Sequence, residues 1–231
     1  MADIFKPRII DFEDKHQLYI QATDIIATTI EDVIGDYNTC RIALCGGGTP
    51  LPIYQKLAQQ PHLHWDHIEL YQTDERHTTD TELLNQTHIK EALNPVLPYC
   101  KEVYFINTSL PINESISHYN DIIDELEEPL FDIVMLGIGY DGHFASLFPQ
   151  GDFKHSDQRT VSTTAPSYMD VSQRISLTLE TILDSREIMI FLTGQEKSNV
   201  LVDMLENDLN PQDFPAKFLL AHPKVTIFQS I

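Results

Sequence analysis

Apolar residues in this chain recur in two kinds of segment, which alternate from one end to the other. Short apolar runs typical of buried strands lie at residues 41–45, 68–73, 102–106, 131–136, 160–164, 174–179, 187–193 and 224–229. Apolar residues at helical spacing occupy residues 13–34, 51–57, 85–93, 112–126 and the segment after residue 194. Strands that alternate with helices are typical of a parallel sheet covered on both faces.

The alternation predicts an α/β fold with a mainly parallel, Rossmann-like sheet and helices on both faces. The chain has 231 residues and contains no repeat, low-complexity tract or obvious linker. That length is enough for a substantial core. We therefore predict one domain over residues 1–231, with a small excursion from it around residues 150–180.

The charge balance narrows the choice of partner. Fifteen Lys and Arg residues face 35 Asp and Glu residues, which gives a formal net charge of −20. Nucleic acids and anionic membranes bind positively charged surfaces, so we expect neither as a partner. A small anionic substrate would have to be bound by a local cluster of cations.

The cysteines and the N-terminus indicate a compartment. Cys40, Cys45 and Cys100 are an odd count without metal-ligand spacing, which favours reduced thiols over a disulfide scaffold. The first ten residues, MADIFKPRII, lack the basic and apolar regions of a secretory signal. No segment reaches the roughly 18 apolar residues of a membrane span. We expect a cytoplasmic protein, either a monomer or a small homo-oligomer.

Four predicted strands end in glycine-rich or polar segments, namely Gly46–Pro50, Asp74–Arg76, Gly137–His143 and Gly194–Lys197. The carboxyl ends of parallel strands lie at the same edge of a sheet, where open α/β proteins bind their ligands. We therefore expect these four segments to converge there, although they are far apart in sequence.

The most informative segment is residues 136–149, with the sequence LGIGYDGHFASLFP. Glycines after a buried strand let the backbone approach a ligand or adopt positive φ. His143 is then a titratable group on a rigid element, suited to proton transfer near neutral pH. Asp141, two residues earlier, strengthens the prediction that His143 is functional rather than a packed histidine.

The segment around Gly47, Gly48 and Thr49 precedes a predicted helix. It fits either a phosphate cradle of backbone N–H groups or merely a tight strand-to-helix turn. The sequence is neither a Walker motif nor GxGxxG.

Three cations are candidates for anion binding. Arg76, at a strand end, suits a carboxylate, a phosphate or developing negative charge, but it also fits a local surface ion pair. Lys197 fits phosphate binding or an ordinary solvated position. Arg174 lies in an apolar, β-prone run, where an idle charge is unusual.

Other candidates carry less weight. The spacing His62, His64 and His67 is that of a metal site, but no cysteine or carboxylate pattern completes it, so we predict no metal. Nothing marks Cys45 as an activated nucleophile. Ser146 lacks the Gly-x-Ser-x-Gly elbow of hydrolases.

Taken together, the motifs resemble the 6-phosphogluconolactonase family over nearly the whole chain. The segment DGHFASLFP is the most specific part of the resemblance. The other matching segments are CGGGTP (45–50), Trp65, TDER (73–76), RISLT (174–178) and TGQEK (193–197).

A broader superfamily that includes glucosamine-6-phosphate deaminases shares several of these elements. The deaminases typically continue as DGHIAFNEP, with a catalytic glutamate, where this chain has Ser146-Leu147-Phe148. The resemblance therefore favours the lactonase. Cys45 and Gly48 depart from its pattern, which usually has serines there and hence two more hydroxyls in the cradle.

The resemblance implies hydrolysis of a sugar-phosphate lactone, 6-phospho-D-glucono-1,5-lactone, without metal or organic cofactor. It implies that His143 activates water, that Asp141 and Asp74 orient or tune the site, and that Arg76 stabilises negative charge or holds substrate hydroxyls. The residues implied at the phosphate end are Gly47, Gly48, Thr49, Arg174 and Lys197. The alternatives are a deaminase-like isomerase of an amino-sugar phosphate and a sugar-phosphate sensor that has lost catalysis.

Overall fold

The computed structural model of the chain describes residues 4–151 and 157–230. The strands in this part are β1 (Arg8–Asp11), β2 (Cys40–Leu44), β3 (Ile68–Gln72), β4 (Asp74–Arg76), β5 (Glu102–Val103), β6 (Phe131–Gly137), β7 (Thr160–Thr164), β8 (Gln173–Leu177), β9 (Ser185–Thr193) and β10 (Val225–Ser230). The α-helices are α1 (Lys15–Tyr37), α2 (Leu51–Leu57), α3 (Asn85–Leu93), α4 (Ile112–Asp124), α5 (Leu179–Leu183) and α6 (Ser198–Leu205).

The main sheet has seven strands in the order β1-β10-β9-β6-β2-β3-β5. Every neighbouring pair in it is parallel. β2 and β6 are neighbours, but β2 leads to β3 on one side and β6 leads to β9 on the other. The direction of strand order therefore reverses between them, and a crevice forms outside their carboxyl ends. The predicted α/β fold with a mainly parallel sheet is confirmed.

Side chains alternate between the two faces of this sheet, as they must in a pleated strand. In β6, Ile133 and Met135 pack with α1, α2 and α3, whereas Val134 and Leu136 pack with α4, α5 and α6. Both faces are apolar, which explains why the central strands are continuous hydrophobic runs in the sequence. None of the helices in residues 4–151 and 157–230 is long and apolar enough to cross a membrane.

Helix α1 shows how local sequence sets the bounds of an element. The Asp14 carboxylate accepts a hydrogen bond from the Gln17 backbone N–H at 2.8 Å and so caps the first turn. Asn38, with φ of 62°, ends the helix in the left-handed conformation that Asn tolerates. The helix therefore runs a little later than the predicted 13–34.

A second sheet, with the order β4-β8-β7, is antiparallel and was not foreseen from the sequence. Its strand β4 begins two residues after the end of β3. Its strands β7 and β8 lie within the predicted excursion around 150–180. Residues 152–156 of that excursion lie outside the described residues. The interpretation of the chain as one domain stays a prediction.

Two predicted strands are shorter in the structure, and one strand was not predicted at all. β5 is only Glu102–Val103, shorter than the predicted 102–106. The Tyr104 N–H still donates to the Leu70 carbonyl, but the Ile106 N–H bonds to the Gln72 side chain instead of to a backbone carbonyl of β3. β8 ends at Leu177, since Thr178 caps the unpredicted helix α5. The half-exposed edge strand β1 has no strong apolar run and was missed.

Candidate active site

A cavity of about 620 Å³ opens at the carboxyl ends of β2 and β6. All four segments that were expected to converge contribute to its walls. The lining includes every predicted site residue, namely Gly47, Gly48, Thr49, Asp74, Arg76, Asp141, His143, Arg174 and Lys197.

The loop after β6 folds back tightly and so fixes the position of His143. The Gly139 N–H donates to the His143 carbonyl at 2.8 Å. A Cβ on Gly139 would lie 2.1 Å from His143 Nδ1, so only glycine fits beneath the imidazole. Gly142 has φ of 79°, and a Cβ there would meet the Phe214 ring at 2.6 Å. The loop can therefore adopt this conformation only with glycine at positions 139 and 142.

Asp141 and His143 form a short hydrogen bond. Asp141 Oδ1 lies 2.5 Å from His143 Nδ1 and also accepts the His143 backbone N–H at 3.2 Å. Burial raises the pKa of the Asp141 carboxyl, but the hydrogen bonds and charge of His143 and a bond from the Tyr168 hydroxyl outweigh it and lower that pKa to about 2. Asp141 is therefore a carboxylate at neutral pH, and it accepts a hydrogen bond from the Nδ1–H group of His143.

The other side of the imidazole faces the cavity. The ring packs on Phe148 with 5.0 Å between centroids, and its side chain is 22% exposed. Within residues 4–151 and 157–230, His143 Nε2 makes no hydrogen bond. With Nδ1 held by Asp141, the neutral ring presents the Nε2 lone pair to the cavity, where it can accept a proton.

Asp74 is buried at the wall of the cavity, and hydroxyl groups bind both of its oxygens. Ser146 Oγ donates to Oδ2 at 2.6 Å, and Thr73 Oγ1 donates to Oδ1 at 3.1 Å. Ser146 therefore serves as a hydrogen-bond donor to Asp74 in this structure. These bonds fix the Asp74 carboxylate beside the loop that carries His143.

Arg76 is held by a buried polar network. Glu75, fully buried, accepts hydrogen bonds from the backbone N–H groups of Arg76, Asn85 and Gln86 and from the Gln72 side chain. Burial raises the pKa of the Glu75 carboxyl, and these bonds oppose that rise. The Asn85 side chain accepts a bond from the Arg76 guanidinium and donates to the Asp74 carbonyl. β4 is thus anchored to the first turn of α3.

Arg174 lies directly opposite Arg76 on the antiparallel neighbour strand β8. It is only 6% exposed, its Nε donates to the Val171 carbonyl at 2.8 Å, and its Nη2 lies 3.8 Å from the Met169 sulfur. Burial and the charge of Arg76 lower the pKa of its guanidinium. Neither arginine forms an ion pair with a carboxylate in the described part of the chain. Two adjacent guanidinium groups without a carboxylate partner create a positive potential that favours an anionic ligand nearby.

Lys197 and the glycine-rich loop occupy another wall. Lys197 Nζ donates to the Ile138 carbonyl at 2.7 Å and lies 3.8 Å from the centre of the Tyr140 ring. Thr49 Oγ1 is 2.9 Å from Thr193 Oγ1. A Cβ on Gly47 or Gly48 would meet nothing within 4 Å, so the loop leaves open space at the cavity.

The cysteine and histidine candidates from the sequence do not take part in this cation-lined cavity as a nucleophile or as metal ligands. Burial, followed by the charge of Asp74, raises the pKa of the Cys45 thiol to about 12, so it stays protonated. His64 Nδ1 pairs with Glu31 at 2.7 Å. The part of the chain that the structure describes contains no group of three metal-ligating side chains placed to hold an ion.

Sequence reasoning missed several residues of the site. Asn85, Tyr168 and Met169 also line the cavity, and Glu75 holds Arg76 from behind. Glu75 lies within the candidate segment Asp74–Arg76. Nothing in the sequence, however, distinguishes its supporting role from the roles of Asp74 and Arg76. Tyr168 carried no signal, because its contact with Asp141 joins segments 27 residues apart.

The fold and cavity define an α/β protein with a cation-lined crevice at the switch point of a parallel sheet. A family model described as glucosamine-6-phosphate isomerases/6-phosphogluconolactonase matches residues 13–228. A 6-phosphogluconolactonase of Thermotoga maritima is 31% identical over 207 residues, which cover 88% of this chain and 90% of that protein. A glucosamine-6-phosphate deaminase of Bacillus pumilus is 28% identical over 236 residues, which cover 95% of each protein.

A solved structure agrees with these matches. The crystal structure of a 6-phosphogluconolactonase from Thermotoga maritima has a TM-score of 0.85 to this chain at 29% identity, covering 98% of this chain and 100% of that one. The chain belongs to the glucosamine-6-phosphate isomerase/6-phosphogluconolactonase family.

Proposed function

We propose that the protein is a 6-phosphogluconolactonase, which hydrolyses 6-phospho-D-glucono-1,5-lactone to 6-phospho-D-gluconate. The observation that carries the proposal is the Asp141–His143 pair at one wall of a cavity that also contains the opposed cations Arg76 and Arg174. The pair supplies a base, and the cations suit the phosphate and the oxyanion.

His143 acts as the general base in this proposal. Its Nε2 takes a proton from a water molecule while the water oxygen forms a bond to the lactone carbonyl carbon. The tetrahedral intermediate then breaks the bond between that carbon and the ring oxygen, and the imidazolium returns the proton to this oxygen. Asp141 keeps the ring in the tautomer with the proton on Nδ1 and stabilises the imidazolium.

Asp74 and Arg76 serve the same end of the substrate. Arg76 is placed by Asn85 and Glu75, so its charge needs no rearrangement when negative charge develops on the carbonyl oxygen. Asp74, held by Ser146, accepts substrate hydroxyls or tunes the His143 loop.

The phosphate end is assigned to Arg174, Lys197 and the loop of Gly47, Gly48 and Thr49. Arg174 supplies a planar fork that suits phosphate oxygens. The open space at Gly47 and Gly48 lets backbone N–H groups approach the anion. The proposal includes no metal or organic cofactor, since ester hydrolysis by an activated water requires neither.

A deaminase-like isomerase is the second candidate, because a deaminase is among the relatives. The segment that holds the deaminase glutamate is Ser146-Leu147-Phe148 here. Leu147 and Phe148 are buried, and Phe148 packs on the His143 ring. No carboxylate from this segment reaches the cavity, which favours the lactonase. A sensor without catalysis ranks last, because the Asp141–His143 pair is intact.

A coupled assay tests the proposal. Glucose 6-phosphate is oxidised to the lactone in situ, and the disappearance of lactone is compared with its spontaneous hydrolysis. We expect the protein to accelerate this step, and the matched variant His143→Gln to fall back to nearly the spontaneous rate. Ammonia release from glucosamine 6-phosphate without any lactone hydrolysis would replace the proposal with the deaminase.

A further inference from the structure

The connection between β7 and β8 brings an exposed tyrosine to the mouth of the cavity. The Ala165 N–H donates to the Ser172 carbonyl at 2.8 Å, so the loop 166–171 is a closed hairpin connection. Within it, the Met169 N–H donates to the Pro166 carbonyl at 3.0 Å, which makes a tight turn with Tyr168 at its tip. The Tyr168 side chain is 72% exposed and lines the cavity.

Tyr168 is bound to the same carboxylate as the imidazole. Its hydroxyl donates to Asp141 Oδ2 at 3.1 Å, while Asp141 Oδ1 holds His143 Nδ1 at 2.5 Å. The two oxygens of Asp141 are therefore divided between two partners on different segments. Because so exposed a side chain is not held by burial, this hydrogen bond accounts for the orientation of the tyrosine.

We propose that Tyr168 is a positioning residue: its hydroxyl fixes the rotation of the Asp141 carboxylate and thereby aims the His143 ring at the cavity. This role rests on the proposed function. A carboxylate that is anchored through one oxygen only can turn about its Cβ–Cγ bond, whose rotamer well is broad. A second anchor on Oδ2 restricts that rotation, and a small misalignment of a catalytic group is costly in rate.

Two further observations agree with this role. Partial loss of solvent around the hydroxyl, followed by the charge and hydrogen bond of Asp141, raises the pKa of Tyr168, so the hydroxyl remains a proton donor at neutral and mildly alkaline pH. The same loop also contacts Arg174, whose Nε donates to the Val171 carbonyl. One short connection therefore touches both the catalytic pair and the proposed phosphate end.

The kinetic test uses Tyr168→Phe, which keeps the ring and removes only the hydroxyl. We expect kcat to fall about threefold to tenfold, the loss typical of one hydrogen bond that competes with water, with KM within about twofold of wild type. Tyr99→Phe, which removes a hydroxyl from a side chain that is 68% exposed outside the cavity, should leave both constants unchanged. The melting temperature of Tyr168→Phe should match that of wild type, because the hydroxyl lies at the surface.

A double-mutant cycle separates positioning from a direct role. If Tyr168 acts through Asp141, then Tyr168→Phe has no further effect on kcat in an Asp141→Ala background. An equal loss in both backgrounds would overturn the proposal, as would a Tyr168→Phe enzyme with wild-type kcat.

Nitrogen-15 and proton NMR of the imidazoles provides a readout that does not need catalysis. The His143 Nδ1 proton should shift in Tyr168→Phe and stay in place in Tyr99→Phe. If wild-type protein lacks lactonase activity, the proposed function fails, yet the NMR comparison still shows whether Tyr168 sets the geometry of the pair. An unmoved His143 resonance in Tyr168→Phe would refute the positioning role by itself.

Discussion

Arg76 and Arg174 occupy opposite positions on two antiparallel strands, and within the described residues neither forms an ion pair with a carboxylate. Like charges directly across a strand pair repel and destabilise it. Burial of Arg174 at 6% exposure intensifies the effect, because water screens the pair poorly. Negative charge on a bound ligand would relieve this repulsion, at the carbonyl oxygen beside Arg76 and at the phosphate beside Arg174 in the proposed binding mode.

The first prediction concerns Arg174. In Arg174→Ala we expect KM to rise about 10- to 100-fold with little change in kcat, because a phosphate far from the reacting carbon is held equally in ground and transition states. Arg174→Lys should be intermediate, since it keeps the charge and loses the planar fork. Lys197→Ala should also raise KM. Initial rates against lactone concentration check this, and a collapse of kcat at unchanged KM would contradict the assignment.

Ligand binding can be measured without turnover. We expect 6-phosphogluconate to raise the melting temperature of the wild-type protein, whereas gluconate at the same ionic strength does not. Arg174→Ala should lose most of this stabilisation. Equal shifts with both compounds would mean that the phosphate is not the recognised group.

The second prediction concerns His143, the proposed general base. His143→Gln should lower kcat about 10²- to 10⁴-fold, the usual contribution of a positioned proton-transfer group, and change KM little. Because the lactone also hydrolyses spontaneously, the rate must be corrected for the reaction without enzyme. A variant that retains near-wild-type kcat would exclude His143 as the base.

The third prediction tests the close approach of backbone and ring. In Gly139→Ala the new Cβ would lie 2.1 Å from His143 Nδ1, so the ring must move, and we expect kcat/KM to fall about 10²-fold. The matched control is Gly35→Ala on α1, where nothing lies within 4 Å of the new Cβ. It should leave activity unchanged and stabilise the helix by about 0.5–1 kcal/mol. Chemical unfolding and the coupled assay, run on both variants, separate the two effects.

The fourth prediction follows from the depressed pKa of Asp141, about 2 against an ordinary value of 3.8. A carboxyl whose pKa is lower in the folded state stabilises that state above its unfolded pKa, and the contribution is lost as pH falls toward the folded pKa. The difference in free energy of unfolding between wild type and Asp141→Asn should thus be larger at pH 5 than at pH 2 and should shrink between about pH 4 and pH 2.

The same difference measured in a His143→Ala background should depend less on pH, because His143 supplies the main interactions that lower the Asp141 pKa. Urea unfolding at a series of pH values gives both curves. A difference that does not change between pH 5 and pH 2 would show that the pair does not form.

The sequence allowed the parallel sheet and the convergence of its strand ends to be predicted, because both depend on local patterns. β6 is a continuous apolar run followed by glycines. That local pattern is enough to predict that Asp141 and His143 lie at the sheet edge, without knowledge of how the other segments pair. Arg76 and Arg174 were chosen individually as candidate cations. Their direct opposition depends on the pairing of β4 with β8, which are about a hundred residues apart and carry no local sign of partnership.

The remaining omissions have the same origin. Glu75 and Asp74 are adjacent acidic residues, and only the tertiary structure shows that Glu75 holds α3 while Asp74 lines the cavity. Tyr168 looked like an ordinary loop residue until its hydroxyl was placed beside Asp141. The convergence of the candidate residues at one cavity was therefore predictable from the sequence, whereas the supporting contacts between distant segments were not.

The hairpin of β7 and β8 has an evolutionary consequence. The Asp141–His143 pair follows a strand of the parallel sheet, whereas the opposed arginines belong to the small antiparallel one. The hairpin carries Arg174 and also Tyr168, whose hydroxyl donates a hydrogen bond to Asp141. Under the proposed roles, a substitution in this hairpin would change phosphate recognition and the geometry of the imidazole together, so substrate preference and turnover would evolve jointly in descendants of this scaffold.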